Sequence, residues 1–381
     1  MLKKIILVLS LFVFLFLVIL SRIYFYPQNL GEKPSGAYKE SFKKYANYSE
    51  DAGGFVNEDP TVIEKMLSRS SEWDSFYEYY WPTTVGWPDV KIKEVAFDKE
   101  IFNSKKGIHF VWFGHSTILL RVEGINILID PVFSKFASPL SFIAKRFQKP
   151  IIKLKDLPKI DYVLISHDHY DHLDRESIEY FKDKKETKFL VPLGVRSHLN
   201  FWGIKKNLII DFNWWGSVNF AGTKFTFTPA QHFSGRTKFI DNATLWGGWM
   251  IEAGEKSIFF SGDSGYAGHF KEIAKRFPKI DYAFLENGQY NWRWQAVHMM
   301  PDETAKAFKD LRAQKLIPIH WGMFNFSLHN WYDPPIDLSS ECSECKVIIP
   351  FIGEIVDPNS EYPLPSEMYN FLLEQKDRYS K

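Results

Sequence analysis

The chain contains only two cysteines in 381 residues, and they form a single Cys342-x-x-Cys345. No second pair completes a four-cysteine metal knuckle, and no thioredoxin-like context surrounds them. A local disulfide or two surface thiols is therefore preferred over a redox motif or half a knuckle. Charge of one sign is equally scarce. With 47 Lys and Arg against 46 Asp and Glu, the formal net charge is +1, which implies no general polyanion-binding role. Internal repeats and long low-complexity tracts are missing too. What is present is an apolar fraction of 45%, which fits a substantial core, and length enough for one large domain with extensions. Aromatics make up 17%, and several cluster before residue 100.

Ile5 to Leu20 is an apolar run broken only by Ser10, preceded by Lys3 and Lys4 and followed by Arg22 and Ile23-Tyr24-Phe25-Tyr26. At about 1.5 Å per residue, a helix from Ile5 to Tyr26 reaches roughly the 30 Å of a bilayer core. Arg22 would snorkel, and the tyrosines would sit at the interface. No small-residue cleavage site is evident, so an uncleaved anchor is expected rather than a removed signal peptide. The two leading lysines put the N-terminus in the cytoplasm and the remainder on the outer side of the cytoplasmic membrane. Pro27 to Glu50 reads as a linker. Phe55 to Glu100, with Trp73, Phe76, Tyr77, Tyr79, Tyr80, Trp81 and Trp87, reads as an extension wrapped on the core or bordering a lipid groove.

Strand signals begin at Gly107 to Trp112 and Ser116 to Val122, and recur at Ile125 to Asp130, Tyr162 to Ser166 and Lys188 to Val191. Helical patterns such as Lys271 to Phe277 and Asp302 to Ala313 separate later ones. This alternation predicts an α/β protein, an αββα sandwich of two sheets faced by helices.

The chemistry is announced by His167-Asp168-His169-Tyr170-Asp171-His172, directly after the apolar Tyr162 to Ile165. Three imidazoles and Asp171 within six positions are the donors that zinc and similar divalent ions take. Single candidates follow at other strand ends: His232 after Thr223 to Thr228, Asp263 after Ser257 to Phe260, and His320 after Leu316 to Ile319. One such histidine alone would more often be structural. Four strand-end donor groups converging at one edge of a sheet predict a metal site.

The order His-x-His-x-Asp-His, His, Asp, His resembles the metallo-β-lactamase-fold hydrolases. Trp112-Phe113-Gly114-His115-Ser116-Thr117, Ile129-Asp130-Pro131, Thr228-Pro229-Ala230-Gln231-His232-Phe233, His298-Met299-Met300-Pro301-Asp302-Glu303-Thr304-Ala305 and Ile319-His320-Trp321-Gly322-Met323-Phe324 resemble motifs of the N-acyl-phosphatidylethanolamine-hydrolysing phospholipase D family and its bacterial relatives. The resemblance covers roughly Phe55 to Val356. It departs at Ser234, where relatives often carry Cys, and at Met300, where they often carry Asn, which leaves fine substrate preference open. The implied division is an anchor over 1–27, a linker and extension over 28–105, a catalytic domain over 106–356 and a tail over 357–381.

The resemblance implies two divalent ions, zinc by default. His167, His169 and His232 would hold the first, Asp171, His172 and His320 the second, and Asp263 would bridge. A hydroxide held between two such ions can attack phosphorus at neutral pH, with Asp171 accepting its proton. Asp130 is the candidate for fixing a ligand imidazole. His115 is either near the site or a structural hydrogen-bonding group. His298 is a substrate contact or proton donor, or else a helix cap. Gln231 and Tyr290 are weaker pocket candidates.

The expected function is a phosphodiesterase of phospholipase D type acting on N-acyl-phosphatidylethanolamine or a related glycerophospholipid at a membrane. The alternatives are a lactone or other carbonyl ester hydrolase on the same ions, and a non-catalytic, metal-stabilised envelope protein. A nucleic-acid partner is not expected, and a second copy of the chain is a candidate partner. The basic, Phe-rich segment Phe133 to Lys159 is either a solvated loop or a surface for anionic lipid, with Lys145, Arg146 and Lys149 among its cations.

Overall fold

A computed structural model of the chain describes residues 2–70, 86–140, 143–237, 240–327, 329–363 and 365–379, without the side chains at 2, 3, 5, 8, 19–27 and 70. Trp73, Phe76, Tyr77, Tyr79, Tyr80 and Trp81 of the expected extension lie outside the described residues.

After a small ribbon, β1 (Tyr48–Ser49) and β2 (Gly54–Phe55), two mixed sheets carry the fold. The first contains β3 (His109–Trp112), β4 (Ile118–Val122), β5 (Ile125–Ile129), β6 (Tyr162–Leu164), β7 (Lys188–Pro192), β8 (Ile209–Phe212) and β15 (Ile355–Val356), in the order β15-β3-β4-β5-β6-β7-β8. The second contains β9 (Ser217–Phe220), β10 (Thr223–Thr228), β11 (Gly248–Ala253), β12 (Lys256–Phe260), β13 (Tyr282–Glu286) and β14 (Lys315–Ile319), in the order β14-β13-β12-β11-β10-β9. Each sheet pairs antiparallel hairpins on one side with parallel strands on the other.

The two-residue period of a strand explains the layers. In β4, Ile118, Leu120 and Val122 enter a core shared with Phe225, Phe227, Trp249, Ile258 and Phe284 of the second sheet. Leu119 points the other way, with Leu128, Val163 and Phe189, into a second cluster. That cluster is closed by Ile178 of α2 (Arg175–Glu179) and by Val195 and Leu199 of α3 (Val195–Phe201). Phe270 and Ile273 of α4 (His269–Arg276), Ala305 and Leu311 of α5 (Pro301–Leu311) and Leu338 of α6 (Asp333–Glu341) pack with the second sheet. The α/β architecture with helices against two facing sheets is the expected one.

The N-terminal expectation fares differently. A helix, α1, does run from Leu2 to Leu30, and within the span expected over Ile5 to Tyr26 the side chains at 5, 8 and 19–26 lie outside the described ones. Among the described residues, no helix is long and apolar enough to cross a membrane. The end of this helix is fastened to the core. Trp202 Nε1 donates to Gln28 O at 2.8 Å, and the Arg236 guanidinium donates to Asn29 O at 2.8 Å. Arg236 also donates to Asp168 O and Leu173 O, so one buried cation ties the helix end to the histidine loop.

The folded chain bears out one sequence reading and changes another. Cys342 and Cys345 are joined as a disulfide. Arg146, grouped above with exposed cations, is only 4% exposed. Its guanidinium donates to the carbonyls of Val132 and Ser134 and lies 4.9 Å from the Phe324 ring. Burial lowers its pKa to about 10. Arg146 is a strut under the loop, whereas Lys145 and Lys149 remain exposed.

Candidate metal centre

Every donor arrives on the turn after a strand. β6 releases the loop 167–172, β10 delivers His232, β12 delivers Asp263 and β14 delivers His320. The turns are tight enough to force unusual backbone. His115, Asp130 and His320 have φ of 54°, 42° and 69°, a left-handed region that non-glycine residues seldom occupy. His320 N donates to His115 O and His115 N to Trp321 O, both at 2.9 Å, so two of these turns support each other across the sheets. Gly262, just before Asp263, has φ of 61°, and a Cβ there would lie 2.6 Å from Gly247 O. That turn needs glycine.

The donors form two sets, His167 with His169, His232 and Asp263, and His115 with Asp171, His172 and His320. Asp263 Oδ2 lies 3.1 Å from His172 Nε2 and 3.2 Å from His320 Nε2, and also 3.7 Å from His167 Nε2 and 3.8 Å from His232 Nε2. It faces both sets at once. Asp171 Oδ2 stands 3.3 Å from His320 Nε2 and 3.6 Å from His172 Nε2.

The back of each ring tests whether ions fit. His172 Nδ1 is 2.8 Å from Asp130 Oδ2, His232 Nδ1 is 3.0 Å from Val297 O, His320 Nδ1 is 3.3 Å from Gly288 O, and His167 Nδ1 is 2.9 Å from Ser166 Oγ. These partners hold a proton of His172, His232 and His320 on Nδ1 and turn Nε2 inward as the atom that would meet an ion. His169 instead brings Nδ1 to 2.9 Å from His167 Nε2 and 3.2 Å from His232 Nε2. Nitrogens so close, with no proton between them, repel unless a cation binds them. His172 Nε2 and Asp263 Oδ1 are also buried without a hydrogen-bond partner. The residues fit two N/O-ligated divalent ions.

Charge divides the sets. Burial, then the neighbouring imidazoles, pull His167 and His232 well below the usual histidine range, and burial lowers His169. For His172 and His320 burial acts downward as well, but Asp263 and Asp171 outweigh it, pushing His172 well up and His320 to about 10. Burial alone would raise Asp171 and Asp263, yet the adjoining histidines hold both well below the carboxylate range.

The sequence candidates around the ligands are dispersed. Asp130 is fully buried behind His172 and accepts from Ser166 N at 2.8 Å and Ser166 Oγ at 2.6 Å. His115, lowered to about 3 by burial and His320, places Nε2 2.8 Å from Asp171 Oδ2. His298 lies against both sets, stacked on His320 at 5.3 Å and edge-on to His232 at 5.0 Å. Asp171 and His298 are each 14% exposed, against 2% or less for His172, His232 and His320, so the first two mark the mouth. Gln231 is turned aside, its amide donating to Ala296 O at 2.7 Å. The Tyr290 hydroxyl is committed to Asp337 at 2.8 Å, so it is not presented to the metal ligands. One residue escaped the sequence reading. Glu286, at the end of β13, is fully buried with Oε2 2.7 Å from His298 Nδ1. Its only sequence signal was the strand-end position that the other donors share.

The β-lactamase superfamily domain matches residues 125–321, more than half of the chain. The chain belongs to the metallo-β-lactamase superfamily. Within this superfamily it is 38% identical over 254 residues to an uncharacterized protein of Mycobacterium tuberculosis, covering 65% of this chain and 68% of that one. It is 34% identical over 257 residues to the N-acyl-phosphatidylethanolamine-hydrolyzing phospholipase D 1 of Caenorhabditis elegans, covering 64% of this chain and 72% of that one. Among solved structures, isothiocyanate hydrolase from Delia radicum gut bacteria superposes with a TM-score of 0.52 at 19% identity, covering 65% of this chain and 98% of that one. That last likeness concerns the fold alone. The chain is a metal-dependent hydrolase of this superfamily.

Proposed function

We propose that this hydrolase is a phosphodiesterase of phospholipase D type, acting on N-acyl-phosphatidylethanolamine or a related glycerophospholipid on the headgroup side of phosphate. The observation that carries the reading is the 34% identity to the worm phospholipase over 257 residues, 72% of its length. His167, His169 and His232 would hold one ion, Asp171, His172 and His320 the other, and Asp263 would lie between. When bound, two divalent ions polarise a phosphoryl oxygen and bring the pKa of water from 15.7 to roughly 7. Asp171, at the mouth, offers Oδ2 to a proton leaving the attacking water while His115 holds it in place. Asp171 would then return that proton to the departing oxygen, and His298, at the same mouth, would contact the substrate through its imidazole edge. The half-buried rings of Phe233, against His169 and His232, and of Phe326, against His115, supply apolar surface suited to acyl chains.

The membrane anchor belongs to this proposal. In the Leu2–Leu30 helix the described side chains Ile6, Leu7, Leu9 and Leu11 to Leu17 are all exposed. Apolar residues on every side of a helix suit lipid rather than water. On this reading the full chain stays with membranes through alkaline carbonate extraction, and release into the wash would sink the anchor.

The activity is tested by headgroup release from N-acyl-phosphatidylethanolamine in mixed micelles, using metal-analysed protein beside Asp171→Asn. Release by wild type is expected, falling by about 10²–10⁴ in the variant, as for loss of a positioned proton acceptor. Fully metallated wild type that leaves this lipid intact yet opens lactones would replace phosphodiester by carbonyl chemistry.

A further inference from the structure

Glu286 is a buried carboxylate beside the metal centre that the seven ligands do not explain. Its backbone is fixed at both ends: N–H donates to Ser261 Oγ at 3.0 Å, and the carbonyl accepts from Thr304 Oγ1 at 3.1 Å. Its side chain meets two partners. Oε1 accepts from Met299 N at 2.6 Å, and Oε2 lies 2.7 Å from His298 Nδ1.

A third metal site is the first alternative, because donors of Glu286, His298, His320 and Asp263 lie within 4.8 Å of one another. The spacing argues against it. Two donors about 2.0–2.2 Å from one tetrahedral ion stand roughly 3.4 Å apart, whereas Glu286 and His298 are at hydrogen-bond distance. His320 Nδ1, the fourth member's nearest atom, is 3.9 Å from Glu286 and is nearer Gly288 O at 3.3 Å.

We infer that Glu286 is the positioning residue for His298, pinning Nδ1–H so that Nε2 is the free edge at the mouth of the centre. The inference rests on the proposed use of His298 above, and deepens it. The physical reason is the donor inventory. The Met299 amide can only donate, so it takes one carboxylate oxygen. The other oxygen, ionised, can only accept, which requires the proton of His298 to sit on Nδ1. Glutamine at this position keeps the shape but has one acceptor and one donor, so it must face either Met299 N–H or His298 Nδ1–H with its own N–H. Burial pushes Glu286 up from its ordinary value, partly offset by His298.

The test uses the full-length, metal-loaded protein as wild type, Glu286→Gln and His298→Ala. Three readouts are taken: metal per chain, the imidazole nitrogen resonances of ¹⁵N-histidine-labelled protein, and kcat and KM on an alkyl phosphodiester. His298→Ala identifies the His298 signals among the 11 histidines. The expected result is a protonated Nδ1 and unprotonated Nε2 on His298 in wild type, with that pattern lost in Glu286→Gln. Metal content and KM stay at wild-type values while kcat falls about 10–100-fold, the usual cost of removing a group that orients a site imidazole. An Nε2-protonated wild-type His298, metal loss in Glu286→Gln, or an unchanged kcat would each overturn the inference. If wild type hydrolyses no phosphodiester, the proposed function fails, and the tautomer and metal readouts still decide the role of Glu286.

Discussion

The two ligand sets share Asp263 but are built to opposite electrostatic plans. The first set, His167, His169 and His232, has imidazoles that burial keeps neutral. The second joins His172 and His320 to Asp171, with Asp130 behind His172, and both its imidazoles are pushed upward by carboxylates. An ion entering the first set meets ready lone pairs. An ion entering the second meets more negative charge but must first displace protons. Two sites a few ångströms apart can therefore differ in affinity and pH response although both use histidine and aspartate.

Removing what the sets share should have the largest effect. Asp263→Ala withdraws the one carboxylate among the described residues that faces all four inward Nε2 atoms. Metal analysis should find both ions lost, with no measurable hydrolysis. Retention of a full metal complement would mean that Asp263 does not bridge.

Asp130→Asn sharpens the contrast, because Asp130 bonds His172 of the second set directly and reaches His167 of the first only through Ser166 Oγ. Metal affinity of the second set should fall about 10–100-fold, and competition with a chromophoric chelator should show one ion leaving early. Equal weakening of both ions would erase the difference between the two sets.

The smallest effect is in protons. His320 is raised to about 10, and His172 lies well above its usual value, so both are charged near pH 7 in the metal-free protein. A raised pKa means the proton is held at neutral pH and must leave when Nε2 binds metal. Affinity of the second set should therefore rise with pH through neutrality, and filling it should release more protons than filling the first. Filling the first should release few. Titration calorimetry in buffers of different ionisation enthalpy measures both, and equal release by the two sets would contradict the charge assignment.

Much of the centre was legible in the sequence because its donors obey a local rule. A strand ends, a turn follows, and a histidine or aspartate stands on it, as at His167, His232, Asp263 and His320. Glu286 obeys the same rule but was missed, since nothing local distinguishes a buried strand-end glutamate from a solvated one. Tyr290, a weaker pocket candidate, has its hydroxyl claimed by Asp337, 47 residues later, a partner no local pattern announces. Arg146 looked like its lysine neighbours until packing against Val132, Ser134 and Phe324 enclosed it.

By itself, the sequence determined the superfamily pattern, the alternating strands and helices, and the identity of the donor side chains, because periodicity and metal chemistry are written in residue type and spacing. Only the tertiary structure decided which nitrogen of each histidine faces inward, which carboxylate stands between the sets, and which groups hold the rings from behind. Those choices depend on contacts such as Asp130 with His172, Val297 with His232 and Glu286 with His298. Such partners meet because separate strands end at one edge of the folded sheets, a proximity that spacing along the chain does not encode.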